Sequence, residues 1–452
     1  MSQVVPWKAF VYKISHYFST LEITRGFFIA VLGSAFIYFN HWGFSYLVLN
    51  TFFGLLFLYL LLQSNTKTWF LTGAFTGLFW FWWISLSLIH YEMVWAAPIE
   101  IVIIMLSYGA LFWLIAILAE KISLRVHNVG SVYRPKGFMV GEPTLLLLKA
   151  FGLLILSYVH PFSFDWLKPE LMFVESYLGI EKWQFAFILA AMVLSIWKKQ
   201  FLYLFLVVFA YQPTQMVDKI DPTTRDNIQI ITTHTTVQDK WNETLHPEQF
   251  KDIFKHIDQA IDDNKTLIIL PESVFPIFLN RSQKLLDKLN QKAKHISIVT
   301  GGLYWDGKTP RNSTYIFTEN HITLANKVVL VPFGESNPLP DFLSDWVNNV
   351  FYDGAVDYKA SSDVIDYEID GITYRNAICF EATSEKLYEK DKDGMFPKNM
   401  IVLSNNGWFT PSIEPMLQKL LLQYYSKKYG TNIYHSVNMS NSYMIQNGKV
   451  IQ

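Results

Sequence analysis

Leu267-Ile-Ile-Leu-Pro-Glu272-Ser273 decides the reading of this chain: four apolar residues form a buried-looking strand that runs straight into a proline and a carboxylate. Pro271 brings no N–H to a ladder, so Glu272 falls at the carboxyl end of a strand, where ligand sites of α/β sheets gather. From residue 227 onward the pattern repeats, with short β-branched runs separated by helical segments, the signature of an α/β domain. Strands are expected over 227–233, 266–270, 296–304, 313–318, 321–326, 364–369, 372–379, 400–404, 433–437 and 442–446. Helices are expected over 246–263, 281–293, 384–390 and 412–429. Asp370-Gly371 and Asn447-Gly448 are hairpin turn signals.

Upstream the composition changes. Of the 75 Asp, Glu, Lys and Arg in 452 residues, 24 precede residue 221. The chain is 51% hydrophobic and 17% charged, against roughly 25% charged for a globular domain. It therefore reads as a transmembrane domain over 1–216 followed by a soluble domain over 217–452. Apolar runs lie near 26–39, 44–63, 69–89, 95–118, 143–162, 183–197 and 201–215; a span needs about 20 residues. No cleavable signal peptide is expected, because Lys8, Lys13, Glu22 and Arg25 interrupt the first 25 residues. Trp7, Phe10 and Tyr17 suggest an interfacial amphipathic stretch instead.

Positive charge sets the orientation. With a cytoplasmic N-terminus, the inner segments carry Lys8, Lys13, Arg25, Lys67, Lys121, Arg125, Arg134, Lys136, Lys198 and Lys199, whereas the outer loops carry Lys168 and Lys182. Seven crossings then put the soluble domain outside the cytoplasm. Phe79-Trp-Phe-Trp-Trp83 and Trp95 read as interfacial belt and helix packing, with an acyl groove as the alternative. Glu100 and Lys149 are ionisable groups in apolar runs near helix ends, where snorkelling is expected. A net charge of -1 provides no basic field, so nucleic acid is not an expected partner.

The single cysteine, Cys379, excludes an intramolecular disulfide and a Cys-rich zinc site. It ends a strand in Asn376-Ala-Ile-Cys379-Phe-Glu381. In Asn326-Lys327-Val-Val-Leu-Val-Pro-Phe-Gly-Glu335 a lysine precedes an apolar run that leads to a second carboxylate. Taken singly, strand-end solvation or an inert core cysteine would account for each.

Together, Glu272, Lys327 and Cys379, in this order at strand ends, resemble the Glu-Lys-Cys triad of the nitrilase (carbon-nitrogen hydrolase) superfamily. Leu-Pro-Glu272-Ser, Asn-Lys327, Val-Pro-Phe-Gly-Glu335, Ala-Ile-Cys379-Phe-Glu381 and Ser404-Asn-Asn-Gly-Trp408-Phe409, behind a multi-span region, are similar to the bacterial apolipoprotein N-acyltransferase family. The resemblance covers nearly the whole chain. It implies a multi-span α-helical membrane domain plus an αββα sandwich on the periplasmic side of a Gram-negative inner membrane. It also implies ping-pong acyl transfer from a phospholipid, through a Cys379 thioester, to the α-amine of a diacylglyceryl-cysteine on an apolipoprotein, without metal or cofactor. Glu272 would be the base, with Lys327 and the Phe380 N–H holding the oxyanion. Glu335 would orient Lys327, and Glu381 would position substrate or contact a loop. Trp241 would contact lipid chains, Trp408 and Phe409 would wall the thioester pocket, and Asn405 would fix a loop.

Departures from the family pattern are Phe380, where tyrosine is frequent, and His435, where arginine is common and a structural histidine is expected here. No apolar run follows the last hairpin, so the C-terminus is expected to stay outside. A membrane-tethered amidase or nitrile hydrolase would use the same triad. A non-catalytic lipid-binding scaffold would not need it.

Overall fold

Successive side chains of a strand point to opposite faces, which fixes what each strand of the soluble half meets. In the computed structural model, which describes residues 17–128, 143–160, 164–213, 226–319, 321–337 and 358–451, the first sheet contains β1 (Ile228–Ile230), β2 (Leu267–Ile269), β3 (Phe275–Phe278), β4 (Ser297–Trp305), β5 (Pro310–Thr318) and β6 (His321–Asn326). Its order is β1-β2-β4-β5-β6, with β3 alongside β4. The second sheet, in the order β12-β11-β10-β9-β8-β7, contains β7 (Asp366–Ile369), β8 (Ile372–Ile378), β9 (Asn399–Asn405), β10 (Asn432–Asn438), β11 (Tyr443–Gln446) and β12 (Lys449–Ile451). The centres of both sheets are parallel: β1, β2 and β4 in one, β8, β9 and β10 in the other. Strands buried on both faces read as unbroken apolar runs.

Alternate residues of one strand feed two cores. Leu267 and Ile269 of β2 join Val299, Ile316, Ile401, Leu403 and Tyr434 between the sheets. Ile268 and Leu270 point the other way, into a core shared with helices His246–Asp262 and Gln283–Lys292, which bring Ile253, Phe254, Ile257, Leu285 and Leu289. Helix Glu414–Tyr429 lies on the second sheet's outer side, where Gln423 Nε2 donates to Gly448 O at 3.0 Å and Ser426 Oγ accepts from Gly448 N at 3.1 Å. The layers are therefore α, β, β, α. The expected strands and helices are present with ends displaced by at most three residues, except that the helix expected over 384–390 is the 3-10 helix Glu385–Tyr388. Two strands were not anticipated: β3, which carries Pro276, and the three-residue β12.

Contacts divide the chain into two compact units, one within Met1–Val159 and Leu167–Thr214 with Ser412–Leu417, the other within His160–Trp166, Gln215–Pro411 and Gln418–Gln452. Two short segments thus cross the sequence break at 216. In the first unit each of the seven apolar runs carries a helical segment. Thr20–His41, Thr66–His90 and Val94–Val126 are long and apolar enough to cross a membrane; Leu47–Leu62, Pro143–Leu156 and Phe201–Ala210 are shorter, and the last is a 3-10 helix. Gly73 permits close helix packing, since a Cβ there would sit 2.5 Å from Tyr108 O. Trp80, Phe81 and Trp83 are buried, and Trp80 Nε1 donates to Ser34 Oγ at 3.1 Å, so this aromatic run is helix packing; Trp95 is exposed. Lys149 does not snorkel. It is buried and donates to Ser64 O at 2.7 Å and Leu62 O at 3.4 Å, because the end of a neighbouring helix offers carbonyls within its reach. Glu100 stands in the first turn of Ala97–Asn128, facing the helix's positive end. Trp7, Phe10, Lys8, Lys13, Arg134 and Lys136 lie outside the described residues.

Candidate active site

Strand β2 ends because Pro271 cannot extend the ladder, and the chain turns through Glu272 and Ser273, the latter at φ +47°. β4 presses on this turn from behind. A Cβ on Gly301 would meet Ser273 N at 2.4 Å and Glu272 Cα at 2.7 Å, both backbone atoms with no room to give. Gly301→Ala is therefore expected to shift the turn, destabilise the fold by about 1–3 kcal/mol and slow any Glu272-dependent step by about 100-fold. An unchanged rate and melting temperature would show that the turn has slack.

Glu272 is 7% exposed and accepts from Asn312 Nδ2 at 2.7 Å. Burial raises its pKa above the ordinary carboxylate value, against the pull of the Lys327 charge. Lys327 directly follows β6, and its N–H donates to Asn312 O at 3.0 Å. Its ammonium is 2.7 Å from Glu335 Oε2. Burial alone would lower the Lys327 pKa, but Glu335, Glu272, Cys379 and Glu381 outweigh it and hold the pKa well above the usual lysine value. These carboxylates and the thiol favour the charged form of Lys327, which lies at the electrostatic centre of the cluster. Asn312 Nδ2 also reaches Glu335 Oε1 at 3.0 Å, bridging the two carboxylates.

Cys379 follows β8 at φ +52°, a left-handed conformation unusual for a residue with a side chain, and opens the 3-10 turn Cys379–Thr383. The thiol residue is half-buried, with Gln418 Nε2 at 3.9 Å from Sγ. Two residues on, Glu381 is fully buried and accepts three backbone N–H bonds: Ile378 at 2.8 Å, Val328 at 2.7 Å and Val329 at 3.0 Å. Burial pushes its pKa up to about 7, with Lys327 and the three amides pulling the other way. Of the two roles expected for Glu381, loop contact is what the geometry displays. It clamps the segment after Lys327 to the residue before Cys379.

The Phe380 ring is buried and stacks on Phe164 (centroids 5.9 Å apart) and Trp166 (6.1 Å). Trp166 Nε1 donates to Thr383 Oγ1 at 2.7 Å, and that hydroxyl donates to Phe380 O at 2.6 Å. Without a phenol, this position stiffens the turn by stacking. Trp408 and Phe409 are half-buried past the carboxyl end of β9, whose neighbour β8 leads into Cys379. Asn405 Oδ1 accepts from Gly407 N at 3.3 Å and Asn438 Nδ2 at 2.7 Å, which fixes that loop. Trp241 leaves a large ring 41% exposed. His435 is buried against Tyr443, with Nε2 2.6 Å from Ser404 Oγ, and burial pushes its pKa down to about 3. It is a neutral core histidine.

Sequence reasoning missed Asn312, Gln418 and Lys240. Lys240 is buried at the end of the short helix Val237–Lys240, and its Nζ donates to Glu272 O at 3.1 Å. Asn312 looks like an ordinary polar residue at a strand's start; only the register of β5 on β4 and β6 brings it to the two carboxylates.

Residues 20–214 match the family model described as the apolipoprotein N-acyltransferase integral membrane domain. A protein named apolipoprotein N-acyltransferase from Wolinella succinogenes is 38% identical over 424 residues, 92% of this chain and 94% of its own. Proteins of the same name from Helicobacter pylori and Campylobacter jejuni are 32% and 30% identical, covering 85% and 95% of this chain and 84% and 91% of their own.

Proposed function

Since the chain belongs to the apolipoprotein N-acyltransferase family, we propose a route by which these residues move a fatty acyl chain onto a lipoprotein. It is a membrane enzyme of lipoprotein N-acylation. In our reading the donor is a phospholipid, and the acyl group passes through a thioester on Cys379 to the α-amine of an N-terminal diacylglyceryl-cysteine. The observation that carries this is the buried Lys327 ammonium, paired with Glu335 at 2.7 Å and acted on by the charges of Glu272 and Cys379 from two other strand ends.

Glu272 takes the thiol proton as the sulfur attacks the ester carbonyl. Lys327 Nζ and the Phe380 N–H stabilise the oxyanion. The ester C–O bond then breaks, Glu272 returns the proton to the leaving lysophospholipid oxygen, and the acyl group stays on sulfur. In the second half the amine attacks the thioester, Glu272 accepts its proton, the C–S bond breaks and the thiol is restored. Glu335 keeps Lys327 in place, while Trp241, Trp408 and Phe409 offer apolar surface to the chains. The Lys and Arg asymmetry of the first unit supports an inner-membrane protein with this chemistry on the periplasmic side.

Incubation of the purified chain with labelled phospholipid and no acceptor is expected to build a hydroxylamine-sensitive adduct that moves to an added diacylglyceryl peptide. Immediate release of free fatty acid would instead indicate a hydrolase, and no adduct a scaffold. Glu272→Gln is expected to slow adduct formation on the order of 100-fold or more. Because burial raises the Glu272 pKa, the wild-type rate should fall as pH drops through that raised value. A glutamine variant with an unaltered rate would remove Glu272 from the mechanism.

A further inference from the structure

Lys240 is 3% exposed, and its ammonium reaches the backbone oxygen of Glu272 at 3.1 Å. The short helix that carries it is capped by Thr236, whose hydroxyl accepts from Asp239 N at 3.2 Å, and the Lys240 carbonyl is 3.0 Å from His246 Nε2. The side chain is thus delivered by a fixed backbone. The next residue is the exposed Trp241. Burying an ammonium costs several kcal/mol unless a negative charge repays it, and a single carbonyl is weak compensation. A tether alone would need no charge here. The negative charge acting on Lys240 is that of Glu272, and burial with this one partner leaves its pKa down at about 8. The charged groups that act on Glu272 are Lys327 and Glu335 from the β6 side and Lys240 from the arm, with Asn312 as its neutral partner.

We propose that Lys240 is a positioning residue for the base: it holds the Glu272 turn by its carbonyl, supplies a second positive charge beside Lys327, and ties the Trp241 arm to the reacting centre. This rests on Glu272 being the base, as proposed above.

The single cysteine makes the test direct. The rate of Cys379 alkylation by iodoacetamide is followed from pH 5 to 9 in the full chain in nanodiscs, in parallel with acyl adduct formation from phospholipid. Glu272→Gln should lose the acid limb of both profiles, which assigns that limb to the base. Lys240→Met, lacking charge and donor, and Lys240→Gln, keeping a donor without charge, should move the limb to higher pH by about one unit. Lys240→Arg should leave it at the wild-type position even if the rate falls. The sign follows from charge: removing a nearby cation makes the carboxylate easier to protonate. A limb at the same pH in wild type, Met and Gln variants would overturn the proposal and leave Lys240 as a tether. So would an Arg variant displaced as far as the Met variant. If the alkylation limb behaves as described while wild type forms no phospholipid adduct, the acyl-transfer reading falls and the role of Lys240 stands.

Discussion

Cys379→Ala is expected to yield a folded protein that forms no acyl adduct and transfers nothing, with a loss on the order of 10⁴-fold or more. The effect should be this large because the residue supplies the atom to which the acyl group bonds, and no other cysteine exists to replace it. The fold should survive. Alanine meets the same left-handed backbone penalty at φ +52°, and the turn is held by Glu381 and by the Phe164, Trp166 and Phe380 stack rather than by sulfur. Intact-mass measurement after incubation with phospholipid checks it. A stable adduct on the alanine variant would place the acyl group elsewhere and end the thioester reading. Cys379→Ser is a useful companion: it keeps a nucleophilic atom in place but one far harder to deprotonate, so it too should form no adduct on the wild-type timescale.

Lys327→Met is the second large effect, and it should appear in stability as well as rate. Removing the ammonium takes the balancing charge from the buried Glu272 and Glu381 and the ion pair from the partly buried Glu335, and breaking a buried pair in this way costs about 3–5 kcal/mol. Loss of an oxyanion partner should also slow adduct formation by about 10²–10³-fold. The pH dependence tells this apart from simple loss of packing. Glu381 already has a folded pKa near 7, above its ordinary value of 4.5, with Lys327 opposing the rise. A folded pKa above the unfolded one means the folded state binds more protons in that interval, so stability falls as pH rises through it. Without Lys327 the interval widens upward. The variant should therefore recover part of its melting temperature between pH 7 and pH 5. A deficit that stays constant over that range would mean the lysine stem, not its charge, was what mattered.

How much of this was legible in sequence depends on whether the signal was local. Leu267 to Glu272, Asn326 to Glu335 and Asn376 to Glu381 each state strand, end and chemical group within ten residues, so each group could be singled out locally, and the family resemblance supplied their roles. The second-layer partners carry no such mark. Trp166 meets Thr383 across 217 positions, and Tyr425 OH meets Asp165 Oδ2 across 260, at 2.9 Å. Nothing in Phe164-Asp-Trp166, a short link after an apolar run, announces a contact so distant in sequence. Lys149 misled for the opposite reason. Its sequence neighbourhood fits snorkelling, and only the packing of two helices reveals carbonyls within reach. Lys240 sits among polar residues, where burial is the least expected outcome.

The bond set of Glu381 has a bearing on how such chains can diverge. One carboxylate grips Val328 and Val329 on one side and Ile378 on the other, so the turn after Lys327 and the end of β8 are tied to each other whatever length of chain separates them. Lengthening or shortening the connection ahead of β7 would then change its closure entropy only with the logarithm of its length. The gap separating ammonium from sulfur is set by the knot and not by the cord. Related chains should tolerate wide variation in the size of this excursion while keeping the glutamate that ties it.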